Sequence, residues 1–255
     1  NQCFSAGGVL MNLNMITIVM RRQLHSYFAT PVAYVFILMF LVLSGVFSFY
    51  LGHFFEKGQA DLNAFFNFHP WLYLFFMPAI SMGLWSQERQ LGTIELLMTL
   101  PIGLGNAVVG KFLAAWVFSG IALLLTFPIW VTVSYLGDPD HGVILAGYIG
   151  SWLMAGGFLA VGSCMSVCSK NQIVAFILTV VVCFLFMVSG VSMVLDAFTL
   201  APQWVIDFVA GLSFLTRFDA IARGVLDLRD VIYFVALIGL WLYLTQIFLQ
   251  RFKAN

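Results

Sequence analysis

Charge is scarce in this chain. Only 9% of its 255 residues are Asp, Glu, Lys or Arg, and eleven basic residues are matched by eleven acidic ones. Zero net charge removes the electrostatic basis for holding nucleic acid, so the few charges must act through their positions. Cysteine is scarce too: Cys3 stands near the start, while Cys164, Cys168 and Cys183 fall inside apolar runs, which gives no disulfide framework. Catalytic groupings are absent, with no Ser/His/Asp or Cys/His set and no HExxH. His25, His53, His69 and His141 are scattered, so no metal site is expected. Gly105–Lys111 satisfies G-x-x-x-x-G-K, but Phe112 stands where a phosphate loop needs Ser or Thr for magnesium, and the run follows Pro101 instead of a strand. No catalytic site and no nucleotide site of its own are expected, and hence no enzyme activity.

What is abundant is apolar surface. Hydrophobic residues make up 62% of the chain and aromatics 16%, with a mean hydropathy of +1.01, beyond what a water-soluble domain tolerates. The expected fold is an all-α integral membrane protein. Six runs without Asp, Glu, Lys or Arg approach or exceed the roughly 20 residues that a spanning helix needs, near 31–52, 70–87, 112–136, 143–168, 172–195 and 231–250. Residues 1–14 show no helical period and read as a leader or extension; 15–255 form one membrane domain. From Leu13 the residues Leu13, Ile16, Met20, Leu24 and Tyr27 recur at helical spacing, with Arg21, Arg22 and His25 on other faces, which predicts an interfacial amphipathic helix. Arg21, Arg22, Arg89, Lys111, Lys170, Arg251 and Lys253 would lie on one side of the membrane, against Lys57, Arg217, Arg223 and Arg229 on the other. The positive-inside bias then places both termini in the cytoplasm.

The longest polar interruption on that side is Ser86–Lys111, an island in which Glu88, Arg89 and Glu95 fall close together. Thr93 can cap a short helix from Ile94 to Thr99, with Glu95 in its first turn, before Pro101, Gly103 and Gly105 stop it. On the opposite side, Trp204, Phe208, Leu212 and Leu215 recur at helical spacing. A second outer helix should carry Asp219, Arg223 and Asp227 four apart on one face.

The string Met15–Phe36 (MITIVMRRQLHSYFATPVAYVF), with SQERQLGTIELLMTLPI at Ser86–Ile102, VVGKFLAAW at Val108–Trp116 and FDAIARGVLDLRDVIYF at Phe218–Phe234, resembles the type-2 ABC exporter permeases. Within that family it is most similar to the gliding-motility and nitrous-oxide-reductase-maturation branch, though Gln23 stands where that branch usually has an acidic residue. The resemblance covers Met15 to the C-terminus. It implies a six-helix, ABCG-like (type V) domain in a bacterial inner membrane, paired with a second permease copy or related chain, and it allows an accessory membrane subunit. A separate ABC ATPase dimer would bind ATP and Mg and drive it. ATPase-coupling contacts are then expected from Glu88, Arg89, Thr93 and Glu95, and an outer gate from Asp219, Arg223 and Asp227. The resemblance points to the second and fifth spans for the pathway, with Phe75, Phe76, Met82, Phe184, Met187 and Ser189 as its lining. The alternatives are a non-transporting anchor or assembly component, and an ATP-independent channel.

Overall fold

A computed structural model describes residues 13–52, 54, 61–94, 103–197, 203–225 and 227–254. The described residues are helical throughout, apart from turns. The chain opens with α1 (Leu13–Phe28) and turns at Ala29–Thr30 into α2 (Pro31–Val46), whose end widens into a π-helical turn at Phe47–Leu51. Proline suits this start, since its missing N–H would have no partner in a first turn. Next come α3 (Asn63–Ser81), α4 (Gly83–Leu91), α5 (Leu104–Leu124), α6 (Phe127–Leu136) and α7 (His141–Cys168). Asp140 caps α7 by accepting from the Gly142 and Val143 amides. The remainder is α8 (Gln172–Val188), α9 (Ser192–Ala197), α10 (Gln203–Gly211), α11 (Phe214–Ala222) and α12 (Leu228–Ala254).

Four helical stretches are long and apolar enough to cross a bilayer: Pro31–Leu51, Leu104–Leu136, His141–Cys168 and Leu228–Arg251. The expected second and fifth spans fall outside that set. α8 is apolar but has only 17 residues. The 70–87 run forms no helix of its own: it begins inside α3, which starts at Asn63, and bends at Met82 into α4. Pro70 and Pro78, which cannot donate to the preceding turn, sit within α3.

α7 is the hub, packed against α3, α4, α5, α8, α11 and α12. Small residues make this possible. A Cβ on Gly147 would meet the Phe66 ring at 2.5 Å, one on Gly150 would meet Ile221 at 2.6 Å, and one on Gly162 would lie 1.9 Å from Ser81 Oγ. Against α5, Trp116 and Trp152 stack with ring centroids 4.2 Å apart. Each indole N–H donates to the other's backbone carbonyl, at 2.8 and 3.1 Å, so both polar atoms are satisfied inside an apolar contact.

The expected amphipathic helix is present as α1, which packs along α5. At their crossing a Cβ on Gly110 would stand 2.8 Å from the Val19 Cβ, so the second glycine of the phosphate-loop-like string is a helix-crossing residue. At the opposite end the expected stripe from Trp204 to Leu215 is split: α10 stops at Gly211, and Ser213 caps the separate α11 by accepting from the Thr216 amide.

Candidate functional site

The densest polar cluster lies where α4, α5 and the C-terminal turn of α7 meet. The break at Met82 interrupts the helical ladder, so the Trp85 amide in the first turn of α4 has no carbonyl behind it in its own helix. Ser166 of α7 supplies the missing acceptor: its Oγ receives N–H groups from both Trp85 and Ser86 at 3.0 Å and donates to the Met82 carbonyl at 2.7 Å. A side chain on one helix thus caps another. One turn earlier, Ser163 Oγ accepts the Trp85 indole N–H at 3.1 Å. Trp85, Ser163 and Ser166 are fully enclosed, and Gly162 lets the end of α3 close in on the same stretch of α7.

Lys111 reaches this junction from α5. Its side chain is 5% exposed, and its Nζ lies 2.6 Å from Glu88 Oε1 and 2.6 Å from the Leu84 carbonyl. The ammonium also stands 4.3 Å from the centre of the Trp85 ring, an attractive cation–π geometry. A buried lysine is tolerated only when its charge is met in this way. Arg89, next to Glu88, donates to the Val167 carbonyl at the end of α7, where the unpaired carbonyls of a helix terminus favour a cation. Gly92 then ends α4 in the left-handed conformation, φ +70°.

Of the expected coupling residues, Glu88 and Arg89 therefore make contacts within the chain, and Thr93 sits just beyond the helix end with its hydroxyl 3.4 Å from the Glu88 carbonyl. Glu95 and the expected Ile94–Thr99 helix, beyond Ile94 itself, lie outside the described residues. Sequence reasoning missed Trp85, Lys111, Ser163 and Ser166 as members of this cluster. Lys111 stood out only as the charge closing the Ser86–Lys111 island, and the two serines were not singled out. The available signal was Ser163 and Ser166 three apart in an otherwise apolar helix, a spacing that puts both hydroxyls on one face.

The expected outer face does not form as one helix. α11 ends at Ala222 and Gly224 turns the chain with φ +88°, a conformation glycine adopts without steric cost. Asp227 instead accepts the Arg229 amide at 3.0 Å at the entry to α12. Asp219 and Arg223 remain neighbours, and both line a polar cavity of about 560 Å³ together with Asn63, Asn67 and Ala222. Burial pushes the Asp219 carboxyl above its ordinary range, with the Arg223 charge opposing the shift. Nearby, Arg217 pairs with the enclosed Asp230 at 3.0 Å, an ion pair absent from the expected gate.

The expected pathway residues do not share a wall. Phe75 and Phe184 are exposed on the bundle surface, whereas Met187 is fully buried. Phe76 sits edge-on to Phe36 and Phe40 against α2. The Met82 carbonyl belongs to the α4 junction, and the Ser189 hydroxyl donates back to the Phe186 carbonyl. Among the described residues, no group of three or more His, Cys, Asp or Glu side chains could hold a metal ion. No protein-family profile matches the chain, and no curated protein sequence matches it.

Proposed function

We propose that this chain is the permease subunit of an ATP-driven ABC-type exporter, with the motor on a separate ATPase. In this reading α3–α4 and α8 complete a set of six spans, α10 and α11 lie on the outer face, and both termini lie in the cytoplasm of a bacterial inner membrane. The segment Ser86–Lys111 faces the motor, and two permease chains assemble over an ATPase dimer that binds ATP and Mg.

The observation that supports it is the bonded junction at α4. A chain without a nucleotide site can use ATP only through an element that touches the motor and moves the bundle with it. α4 leads directly into that segment, and its first turn is fastened to the hub helix by Ser163 and Ser166 and to α5 by the Glu88–Lys111 pair. A push on residues 92–103 would therefore reach α5 and α7 together. Ser86, Glu88 and Arg89 of α4 are engaged within the bundle, so the residues beyond Gly92, Glu95 among them, are the ones assigned to the ATPase surface.

The test is purification of the affinity-tagged chain from the membranes of its own host in mild detergent. Mg-dependent, vanadate-sensitive ATP hydrolysis should co-purify in fixed proportion to the chain, and Glu95→Ala should lower it while the chain still inserts. Hydrolysis no higher than in a mock purification, together with ATP-independent solute flux in liposomes, would overturn the reading in favour of a channel.

A further inference from the structure

α7 ends in a pair of thiols at the α4 junction. Cys164 is fully enclosed, while Cys168, one turn later, is exposed and is the last residue of the helix. The two side chains hydrogen-bond to each other, and the Thr245 hydroxyl of α12 also reaches Cys164. The Arg89 charge stands beside Cys168. A thiol is reactive where it is exposed next to a cation, and inert where it is buried in apolar surroundings. Cys168 fits the first description and the enclosed Cys183 the second. Between the paired cysteines lie Ser166 and Val167, the residues that hold α4: Ser166 Oγ accepts the Trp85 and Ser86 amides, and the Val167 carbonyl accepts from Arg89.

We propose that Cys164 and Cys168 form a peroxide-responsive thiol pair whose oxidation loosens the α4 junction. The Cys168 sulfur attacks one oxygen of hydrogen peroxide, the O–O bond breaks, and the departing hydroxide takes up the thiol proton as water, leaving a sulfenic acid on Cys168. The Cys164 thiol then attacks that sulfur, forming the S–S bond and releasing a second water, so two thiols are oxidised as one peroxide is reduced. Four residues along a helix the Cα atoms are ~6 Å apart, inside the ~4.4–6.8 Å span of a disulfide, but the Cβ atoms stand ~5–6 Å apart where a bridge needs ~3.5–4.5 Å. The bridge therefore draws the last turn in by roughly 1–2 Å. The chain beyond offers no helical turn to resist it, since Ser169 is already extended with φ −122° and ψ 144°. Ser166 sits inside that turn, and hydrogen bonds that start at 3.0 Å do not survive a shift of that size. The device needs no motor, so it stands or falls apart from the ATPase reading.

The purified full chain carrying Cys3→Ser, which removes cross-linking through Cys3, is reduced, treated with hydrogen peroxide and analysed by peptide mass spectrometry, with melting followed in detergent. A Cys164–Cys168 bridge should form, lighter than the reduced peptide by the two lost hydrogens, and the oxidised chain should melt about 5 °C below the reduced one. Cys168→Ser should form no bridge and keep its melting point under peroxide. Cys164→Ser should instead hold the sulfenic acid on Cys168, where dimedone captures it. Cys168 is exposed, so the Cys168→Ser result stands even if the Cys164 variant does not fold. Absence of the bridge, or a bridge that leaves the melting point unchanged or raises it, overturns the proposal. A fall in melting point that persists in Cys168→Ser also overturns it, in favour of methionine oxidation.

Discussion

At the scale of single residues, the α4 junction sorts substitutions by what they leave behind. Removing one partner of a buried ion pair strands the other and costs ~3–5 kcal/mol, whereas replacing both with apolar groups of similar shape is far milder. Lys111→Met should therefore lower thermal stability in detergent sharply, and Glu88→Leu/Lys111→Met should recover much of it. Glu88 keeps a quarter of its surface in contact with solvent, which puts the single-variant loss at the lower end of that range. A double-mutant cycle measures the coupling, and additive losses would mean that the two charges do not depend on each other. Ser166→Ala strands the enclosed Trp85 amide and removes a second acceptor from the Ser86 amide, and should cost ~1–3 kcal/mol. Gly162→Ala places a methyl 1.9 Å from Ser81 Oγ, in a contact with no slack, and should cost ~1–3 kcal/mol by overpacking. Gly239→Ala is the control. Nothing stands within 4 Å of the new methyl in a mid-helix position, so this change should be neutral or stabilising by up to ~1 kcal/mol. Equal melting points for the two glycine variants would show that the α3–α7 contact is not tight.

At the scale of elements, legibility followed the range of the interactions involved. α1 could be read because its stripe and its solvent face are properties of consecutive residues, and α7 because its apolar run is long and free of charge. The α3–α4 bend could not, because its decisive group, the Ser166 hydroxyl, arrives from 80 residues away. α11 was misread for a local reason. A spacing of four between Asp219, Arg223 and Asp227 shows where those residues would sit on a helix, but not whether the helix continues past Gly224. Asp219 also supplies a pH test. Its carboxyl is raised in the folded chain, so the folded state holds its proton to a higher pH than the unfolded state, and this group's contribution to stability falls as pH rises through the usual carboxylate range. Asp219→Asn should flatten that slope as pH rises above the usual carboxylate range, with little change in the melting point below it; a slope identical to that of the parent chain would assign the pH dependence to other groups.

At the scale of the molecule, the membrane class was legible in composition alone, while the number of crossings depends on α3–α4 and α8, whose lengths and polar residues are borderline. Cysteine accessibility resolves this. In a background lacking the native cysteines, an impermeant maleimide added to intact cells should label Arg229→Cys and spare Gln90→Cys, both positions being exposed in the fold. Labelling of Gln90→Cys from outside would reverse the orientation, and labelling of both would remove one crossing between them. The candidate site was legible only in part for a related reason: Glu88 and Arg89 stood out by charge, but the serines that anchor them look like any small residues until α7 is placed beside α4. That placement also has a consequence for biogenesis. α7 is the most enclosed of the four long apolar helices and the least hydropathic of them, so the helix least suited to lipid is the one the finished fold shields from it. During synthesis it leaves the ribosome before α8, α11 and α12 exist to cover it, with its glycine grooves open to lipid or to a stray helix. Between the arrival of α7 and that of α12 the nascent chain is thus at its most vulnerable to quality-control proteases. In pulse–chase, a chain stopped at position 190 should be cleared faster than the full chain, and equal lifetimes would show that α7 tolerates lipid on its own.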